Sequence, residues 1–337
     1  MVNISIKQVR EYLKTAASKF ISTEEAEYFA DQEIELHLKK SLRVNPLEEA
    51  IKDLENWSKH ENHDLDIEVD KGASMLINFK GLAPSLKLKY VHDELEKKAK
   101  ANGIAFIGVN NSAGFHSLTL WTEGLAKRNL VAFCSFNGGP LAVVPFNGTK
   151  GLFGTNPISY VIPTEDNPIS SDMATSEIPY FEIMQAKKNN TPLRPNSAVD
   201  NEGNVTTDVS KAMDEEYISN LLPMGGGYKG FNLVLLTEIL TGSLVRSLLS
   251  NEQDPGYVSE EHGGFIIAID IATFTDVNKF KKSVSSLTNV TREQKPAQGK
   301  TITIPGDQSM QRMNEILEKG TIEIDEGIIQ RLEALIK

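Results

Sequence analysis

Apolar and polar positions follow two different periods along this chain. Up to about residue 72 the period is helical. Ala26, Phe29, Ala30, Ile34 and Leu38 recur at three- and four-residue steps, which places them on one face of a helix. Ser22-Thr-Glu-Glu25 just ahead fits a capping box, with Ser22 as N-cap and Glu25 reaching back. Pro46 opens Leu47 to Leu54, a position where a helix tolerates proline. The polar stretch from Trp57 to Asp70 reads as a solvated loop. Its His60 and His63 have metal-ligand spacing, but no third ligand or cysteine stands nearby.

From about residue 73 the texture changes. Ala73 to Phe79 reads as a strand, and Leu86 to Ala101 as a Lys/Glu-rich surface helix. Three β-rich runs follow, Ile104 to Val109, Leu130 to Phe136 and Ile158 to Ile162. They alternate with a helix at Ser117 to Lys127 and with Gly/Asn/Pro-rich turns. Another apolar helix is expected at Gly230 to Leu249, and a strand at Phe265 to Asp270. The tail is helical at Val277 to Leu287, Gln308 to Glu318 and Glu326 to Ile336, interrupted by a short strand at Thr301 to Ile304. The pattern predicts an α/β fold. The helical ends, 1–72 plus 271–337, are expected to pack as one domain against a sheet-rich domain, 73–270.

Composition narrows the class. Of 337 residues 40% are hydrophobic and 24% charged, ordinary for a soluble globular protein. A chain of this length buries most of its apolar surface without a disulfide or metal. The single cysteine, Cys134, lies inside the apolar run at 130–136 and reads as a small buried hydrophobe. A net charge of −11 argues against nucleic-acid binding, which wants a basic face. Met1 to Arg10 holds no apolar core of signal-peptide length. No apolar run reaches the roughly 18 residues of a membrane span. The cytoplasm is the expected location.

The candidate chemistry lies in three small-residue turns. No Gly-x-Gly-x-x-Gly follows a strand and no phosphate loop of the Gly-Lys-Ser/Thr type occurs, so a dinucleotide would need another scaffold. Phe153-Gly-Thr-Asn-Pro157 leads into a strand; Ser171-Asp-Met-Ala-Thr-Ser176 follows one; Leu222-Pro-Met-Gly-Gly-Gly-Tyr-Lys-Gly230 opens a helix. Glycines let backbone approach a ligand, a helix N-terminus offers free N–H groups, and Lys229 adds a cation for phosphate. Each turn alone has an ordinary explanation. Lys229 at a helix start is mismatched with the helix dipole, which favours an anionic partner.

In this order and spacing the turns resemble the malate/L-lactate dehydrogenase-like family. These are non-Rossmann NAD(P)H oxidoreductases, among them sulfolactate, ureidoglycolate, diketogulonate and piperideine-carboxylate enzymes. Gly154 to Pro157, Asp172 to Ser176, Tyr228 to Gly230, the turn Asp200 to Gly203 and Ile304 to Asp307 carry the likeness. It implies a central mixed sheet that binds the cofactor, a helical domain from both termini, and a homodimer. It also implies hydride transfer between NADH or NADPH and a small 2-oxo/2-hydroxy acid or cyclic imine acid. By resemblance, Asp172, Met173, Ala174, Thr175 and Ser176 line the cofactor cleft. Lys229 and Gly230 approach its phosphates or ribose, Gly306 and Asp307 complete the site, and Thr155 and Asn156 contact substrate.

The chain departs from that family where acid–base chemistry belongs. An ungapped match places Ser41-Leu42-Arg43 on the family's Ser-His-Gly and Pro46 on its arginine. Ser41 survives, Leu42 cannot move a proton, and Arg43 is left as the candidate carboxylate-binding cation. The family's Asn-x-His-Phe becomes Ser112-Ala-Gly-Phe115, with Gly114 at the histidine position and His116 two residues on. Ser41 and His116 are therefore the catalytic candidates, with His37 a further one, while His92 and His262 read as structural or solvated. Malate- or lactate-type keto acids are expected to be poor substrates, because a positioned acid contributes about 10²–10⁴-fold. The alternative is a degenerate member that binds a nucleotide or metabolite without turnover.

Overall fold

A computed structural model describes residues 1–40, 45–137, 139–253 and 261–337. The strands are β1 (Val2–Ser5), β2 (Asp66–Lys71), β3 (Ser74–Asn78), β4 (Ile104–Ser112), β5 (Leu130–Phe136), β6 (Ile158–Ile162), β7 (Ile169–Met173), β8 (Ala198–Val199), β9 (Val205–Thr206), β10 (His262–Asp270) and β11 (Thr321–Ile324). The helices are α1 (Ile6–Ala17), α2 (Thr23–Lys39), α3 (Pro46–Ser58), α4 (Leu88–Asn102), α5 (Thr119–Ala126), α6 (Tyr180–Asn189), α7 (Val209–Ala212), α8 (Tyr228–Thr241), α9 (Ile271–Phe274), α10 (Val277–Arg292), α11 (Asp307–Lys319) and α12 (Glu326–Ile336).

Seven strands form one sheet in the order β2-β3-β4-β10-β5-β6-β7. The pairing of β3 with β4 is parallel and the others are antiparallel, so the sheet is mixed. β10 sits at the centre because Phe265-Ile-Ile-Ala268 is apolar on both faces, the signature of a strand covered on both sides.

The two ends of the chain meet. β1 pairs antiparallel with β11, Val2 opposite Ile324, and the Arg331 guanidinium of α12 forms an ion pair with Glu55 of α3 at 2.9 Å. One hydrophobic core runs from Leu13 of α1 through Phe29, Leu54 and Trp57 to Ile77, Val109 and Trp121, and on to Leu332 of α12. A smaller cluster gathers Ala142, Phe153, Ile183, Leu221 and Val234. The capping box on α2 is present, and Ala26, Phe29, Ala30, Ile34 and Leu38 are all buried. Cys134 is buried as well, and burial pushes its thiol well above the ordinary range.

Two expectations are corrected. The stretch Trp57 to Asp70 is not all loop, since its end enters β2. His63 there stacks on Trp57 with ring centroids 4.9 Å apart, and its Nε2 lies 2.9 Å from the Trp57 carbonyl. Residues 301–304 form no strand. The Ile304 N–H instead donates to the Asp307 carboxylate at 2.9 Å, folding the segment into a turn.

No helix among the described residues is long and apolar enough to cross a membrane.

Candidate active site

Antiparallel pairing brings one set of strand ends to a common rim. β4 ends at Ser112 opposite the first residue of β10, His262; Gly264 lies opposite Phe136 of β5; Ile158 of β6 lies opposite Met173 at the end of β7. Residues 170–177, the end of β7 and its continuation, are the spine on which the small-residue turns hang. The Ser170 N–H donates to the Pro305 carbonyl at 3.1 Å. Farther along, the Thr175 N–H donates to Thr155 at 2.9 Å, Met224 donates to Thr175 at 2.8 Å, and Glu177 donates to Leu222 at 2.8 Å.

Asp172 is the polar hub of the spine. Its Oδ2 accepts from the Ser117 hydroxyl at 2.9 Å, from the Leu118 N–H at 3.0 Å and from the Lys40 ammonium at 3.2 Å. It thus satisfies a free N–H at the start of α5 and ties that helix to the last turn of α2. The Lys40 carbonyl accepts in turn from Arg312 of α11 at 2.9 Å. A cavity of about 240 Å³ opens here, lined by Lys40, Ser170, Ser171, Asp172, Gly306 and Ser309 among others. Met173 is exposed and Ala174 half-buried, while Thr175 and Ser176 are buried. The Thr175 hydroxyl donates to the carbonyls of Thr155 and Asn156, and the Ser176 hydroxyl to that of Ile178.

Thr155 is half-buried and Asn156 fully buried. Asn156 has φ +35, a conformation that asparagine tolerates better than most residues. Its amide donates to Glu238 at 2.7 Å, and its Oδ1 is buried without a partner. Glu238 also accepts from the Ser250 N–H at 2.6 Å. Sequence reasoning missed Glu238, although a lone carboxylate between Gly230 and Leu244 of an apolar helix was a usable signal. It missed Lys40 as well, for which no signal exists beyond its charge.

At the glycine turn, a Cβ added to Gly225 or Gly226 would meet nothing within 4 Å, so a ligand can come close, while the Gly225 N–H donates to Glu177 at 2.7 Å and the Gly226 N–H to the Pro223 carbonyl at 2.8 Å. Lys229, in the first turn of α8, is exposed. Gly230 has a different duty from the one expected of it. A Cβ there would fall 2.1 Å from the Met224 carbonyl oxygen, so the glycine lets the turn fold against the helix. Gly306 has φ +103, which suits only glycine, and it packs close to the Pro168 carbonyl and Ser170. Asp307 turns away from the spine to Arg292 of α10 at 2.7 Å, and that guanidinium holds its carboxyl below the usual range.

Ser41 and Arg43 lie outside the described residues. On α2, His37 is lowered to about 4 by burial, and its Nδ1 has no partner. His116 is held to α3 through one ring nitrogen. Its Nε2 lies 2.7 Å from the Asp53 carboxylate of α3, which also accepts from the Ser85 hydroxyl. Burial opposes charge on His116, but Asp53 and then Glu33 outweigh it and hold the imidazolium up to about 10. Glu33, fully buried with neither carboxylate oxygen partnered, is pushed up to about 8 by burial.

These shifts set an expected pH profile for stability. Both groups bind protons more tightly folded than unfolded. Their contribution is therefore complete below their ordinary values, 4.5 and 6.5, and is lost as pH rises through about 8 and about 10. His37, His92 and His262 are lowered by burial to about 4, 3 and 4, so their contribution is lost as pH falls below 6.5. Thermal melts from pH 4 to 10 should peak near 6.5. Glu33→Gln should remove about half of the decline between pH 6.5 and 8, His116 accounting for the rest; an alkaline limb identical in that variant would sink the assignment.

Against known proteins, residues 4–333 match the family model described as malate/L-lactate dehydrogenase. The chain belongs to that family. It is accordingly an oxidoreductase. The chain is 31% identical over 244 residues to a malate/(S)-sulfolactate dehydrogenase of Methanothermus fervidus, covering 71% of this chain and 68% of the relative. To a Delta(1)-pyrroline-2-carboxylate/Delta(1)-piperideine-2-carboxylate reductase of Pseudomonas putida it is 32% identical over 247 residues, covering 72% and 69%. The fold superimposes on malate dehydrogenase from Entamoeba histolytica with a TM-score of 0.85 at 20% identity, over 99% of this chain and 97% of that one. The family's mixed-sheet, non-Rossmann architecture is thus the architecture of this chain.

Proposed function

We propose that this protein transfers a hydride between NADH or NADPH and a small 2-oxo/2-hydroxy acid or cyclic imine acid. One observation carries the reading. Residues 170–177 gather the 155–156, 222–225 and 305–306 turns on the rim of the sheet, with open glycine backbone and a lysine beside them. That arrangement suits a dinucleotide. The ammonium of Lys229 would hold phosphate, and the turn at Gly225 and Gly226 lets a ligand approach closely although its N–H groups already donate, to Glu177 at 2.7 Å and to the Pro223 carbonyl at 2.8 Å, while Asp172 to Ser176 would line the cleft. The cofactor, when bound, supplies or accepts the hydride. The chain's own contribution is to hold the spine rigid through Asp172 and to leave the rim open to a small acid.

The test is calorimetry with NADH and NADPH, then turnover of a panel of 2-oxo acids and cyclic imine acids. No binding of either cofactor would overturn the reading; binding without turnover would leave a degenerate member. Lys229→Glu should weaken cofactor binding by about 1.5–3 kcal/mol, the range for a charge-assisted hydrogen bond. Unchanged affinity would remove Lys229 from the site.

The homodimer is also part of this proposal. Helix α8 turns most of its large apolar side chains outward. Val234 and Thr237 face the core while Leu233, Leu235, Leu236 and Ile239 are exposed, and a patch of that kind marks an interaction surface. Most homo-oligomers are twofold. Sedimentation at micromolar concentration should show a dimer, and Leu236→Glu with Ile239→Glu should yield monomers. A wild-type monomer would count against it.

A further inference from the structure

We propose that His262 is the residue that holds and moves the proton at the reacting oxygen of a 2-hydroxy or 2-oxo acid bound at the rim. The proposal rests on the functional reading above, and four observations support it.

His262 is the first residue of β10 and sits directly opposite Ser112, the last residue of β4, on the rim that also carries the end of β7. The Ser112 hydroxyl donates to its backbone carbonyl at 3.1 Å, which fixes the strand end. The pairing is broken by a register shift between His262 and Gly264. Such irregularities commonly re-aim a side chain beside a site.

The second observation is the space next to the ring. Gly114 is exposed, and the nearest atom to a Cβ built there is His262 Cδ2 at 4.0 Å. From Gly114 the chain runs within a few residues to Ser117 and Leu118, both bonded to Asp172. The imidazole therefore borders the same loop that is anchored to the proposed cofactor spine.

Third, the ring has capacity to spare. His262 is 3% exposed and its Nδ1 is buried without a hydrogen-bond partner. A buried, unpaired ring nitrogen is costly unless something uses it. Fourth, the imidazole that follows β4 is anchored to α3: His116 Nε2 lies 2.7 Å from Asp53 and its side chain is only 9% exposed, although its Nδ1 is likewise without a partner.

Burial keeps His262 neutral at physiological pH, with its proton affinity lowered to about 4. In the oxidative direction a neutral imidazole is the form required. The hydroxyl proton passes to a ring nitrogen, the C–H electron pair leaves as hydride to the oxidised nicotinamide, and the C–O single bond becomes C=O. In reverse the imidazolium returns the proton to the oxygen as hydride arrives at carbon, and solvent reprotonates the ring.

The experiment has three arms, run on the full chain. With the panel substrate that the wild type turns over best, His262→Gln should lose about 10²–10⁴-fold in kcat at unchanged cofactor affinity. Gly114→Leu, at an exposed position with room for a side chain, should crowd the imidazole and lower kcat at least about tenfold while melting as the wild type does. It decides the matter if His262→Gln fails to fold. In ¹⁵N-histidine-labelled wild type, adding oxidised cofactor with the 2-oxo acid, a pair that cannot react, should move the His262 ring resonance, identified by its absence in the variant or by its broadening in Gly114→Leu. An active wild type with kcat unchanged in both variants and a stationary His262 resonance overturns the proposal alone. A wild type inactive on the whole panel overturns the functional reading and the proton step with it.

Discussion

Replacing Asp172 by alanine is expected to destabilise the fold by about 3 kcal/mol and to reduce turnover below detection. The carboxylate is largely buried and meets three donors on two elements, the Ser117 hydroxyl, the Leu118 N–H and the Lys40 ammonium. Hydrogen bonds to a charged group contribute about 1.5–3 kcal/mol each and do not add fully. The Lys40 pair contributes least, because that side chain is 31% exposed and solvent screens it. Losing the cap at Leu118 loosens the start of α5. Losing Lys40 frees the chain just before residue 41, so both walls of the 240 Å³ cavity shift together. Asp172→Asn keeps an acceptor for the cap and forfeits the charge, and should fall in between. Chemical denaturation gives the stability and the coupled assay the turnover. An alanine variant within about 0.5 kcal/mol of wild type, the range for an uninvolved surface site, would mean that Asp172 anchors nothing.

Gly230→Ala should cost about 1–3 kcal/mol, as overpacking does, and lower cofactor affinity at least about tenfold. The added methyl would lie 2.1 Å from the Met224 carbonyl oxygen and 2.7 Å from its nitrogen. Both are backbone atoms, so no rotamer change relieves the clash and the glycine turn itself must move. Met224 is bonded to Thr175, so the displacement reaches the spine. Equal melting temperature and equal Kd in the alanine variant would show that the turn yields freely and takes no part in binding.

How much of this was legible in the sequence depended on whether a feature was local. The capping box at Ser22 and Glu25 predicts the start of α2, and the runs Leu130–Phe136 and Ile158–Ile162 are strands with the bounds read from their β-rich character. β1 and β11 escaped notice because each is four residues long and needs the other. The sheet order was not readable either, since β10 inserts between β4 and β5 from more than a hundred residues downstream. In the site, glycines and small polar residues marked the turns correctly as turns. What they could not reveal is which way each polar group faces. Asn156 turns inward to Glu238, Asp307 turns to Arg292, and His116 turns to Asp53. Gly114 was visible as a vacated position, yet the imidazole beside it comes from a strand some 150 residues away and is apparent only once β4 and β10 are paired.

The pairing of Val2 with Ile324 also bears on how the polypeptide is made. At about 5–20 residues per second, a ribosome needs on the order of tens of seconds to deliver the partner of β1. Until then β1 has an open edge, and the faces of α1 and α2 that receive α12 and α11 remain uncovered. All seven strands of the sheet have emerged once β10 has, so closure of the helical part around its own first strand comes only after the sheet can form. Chaperone dependence should therefore concentrate in chains stalled between residues 270 and 321.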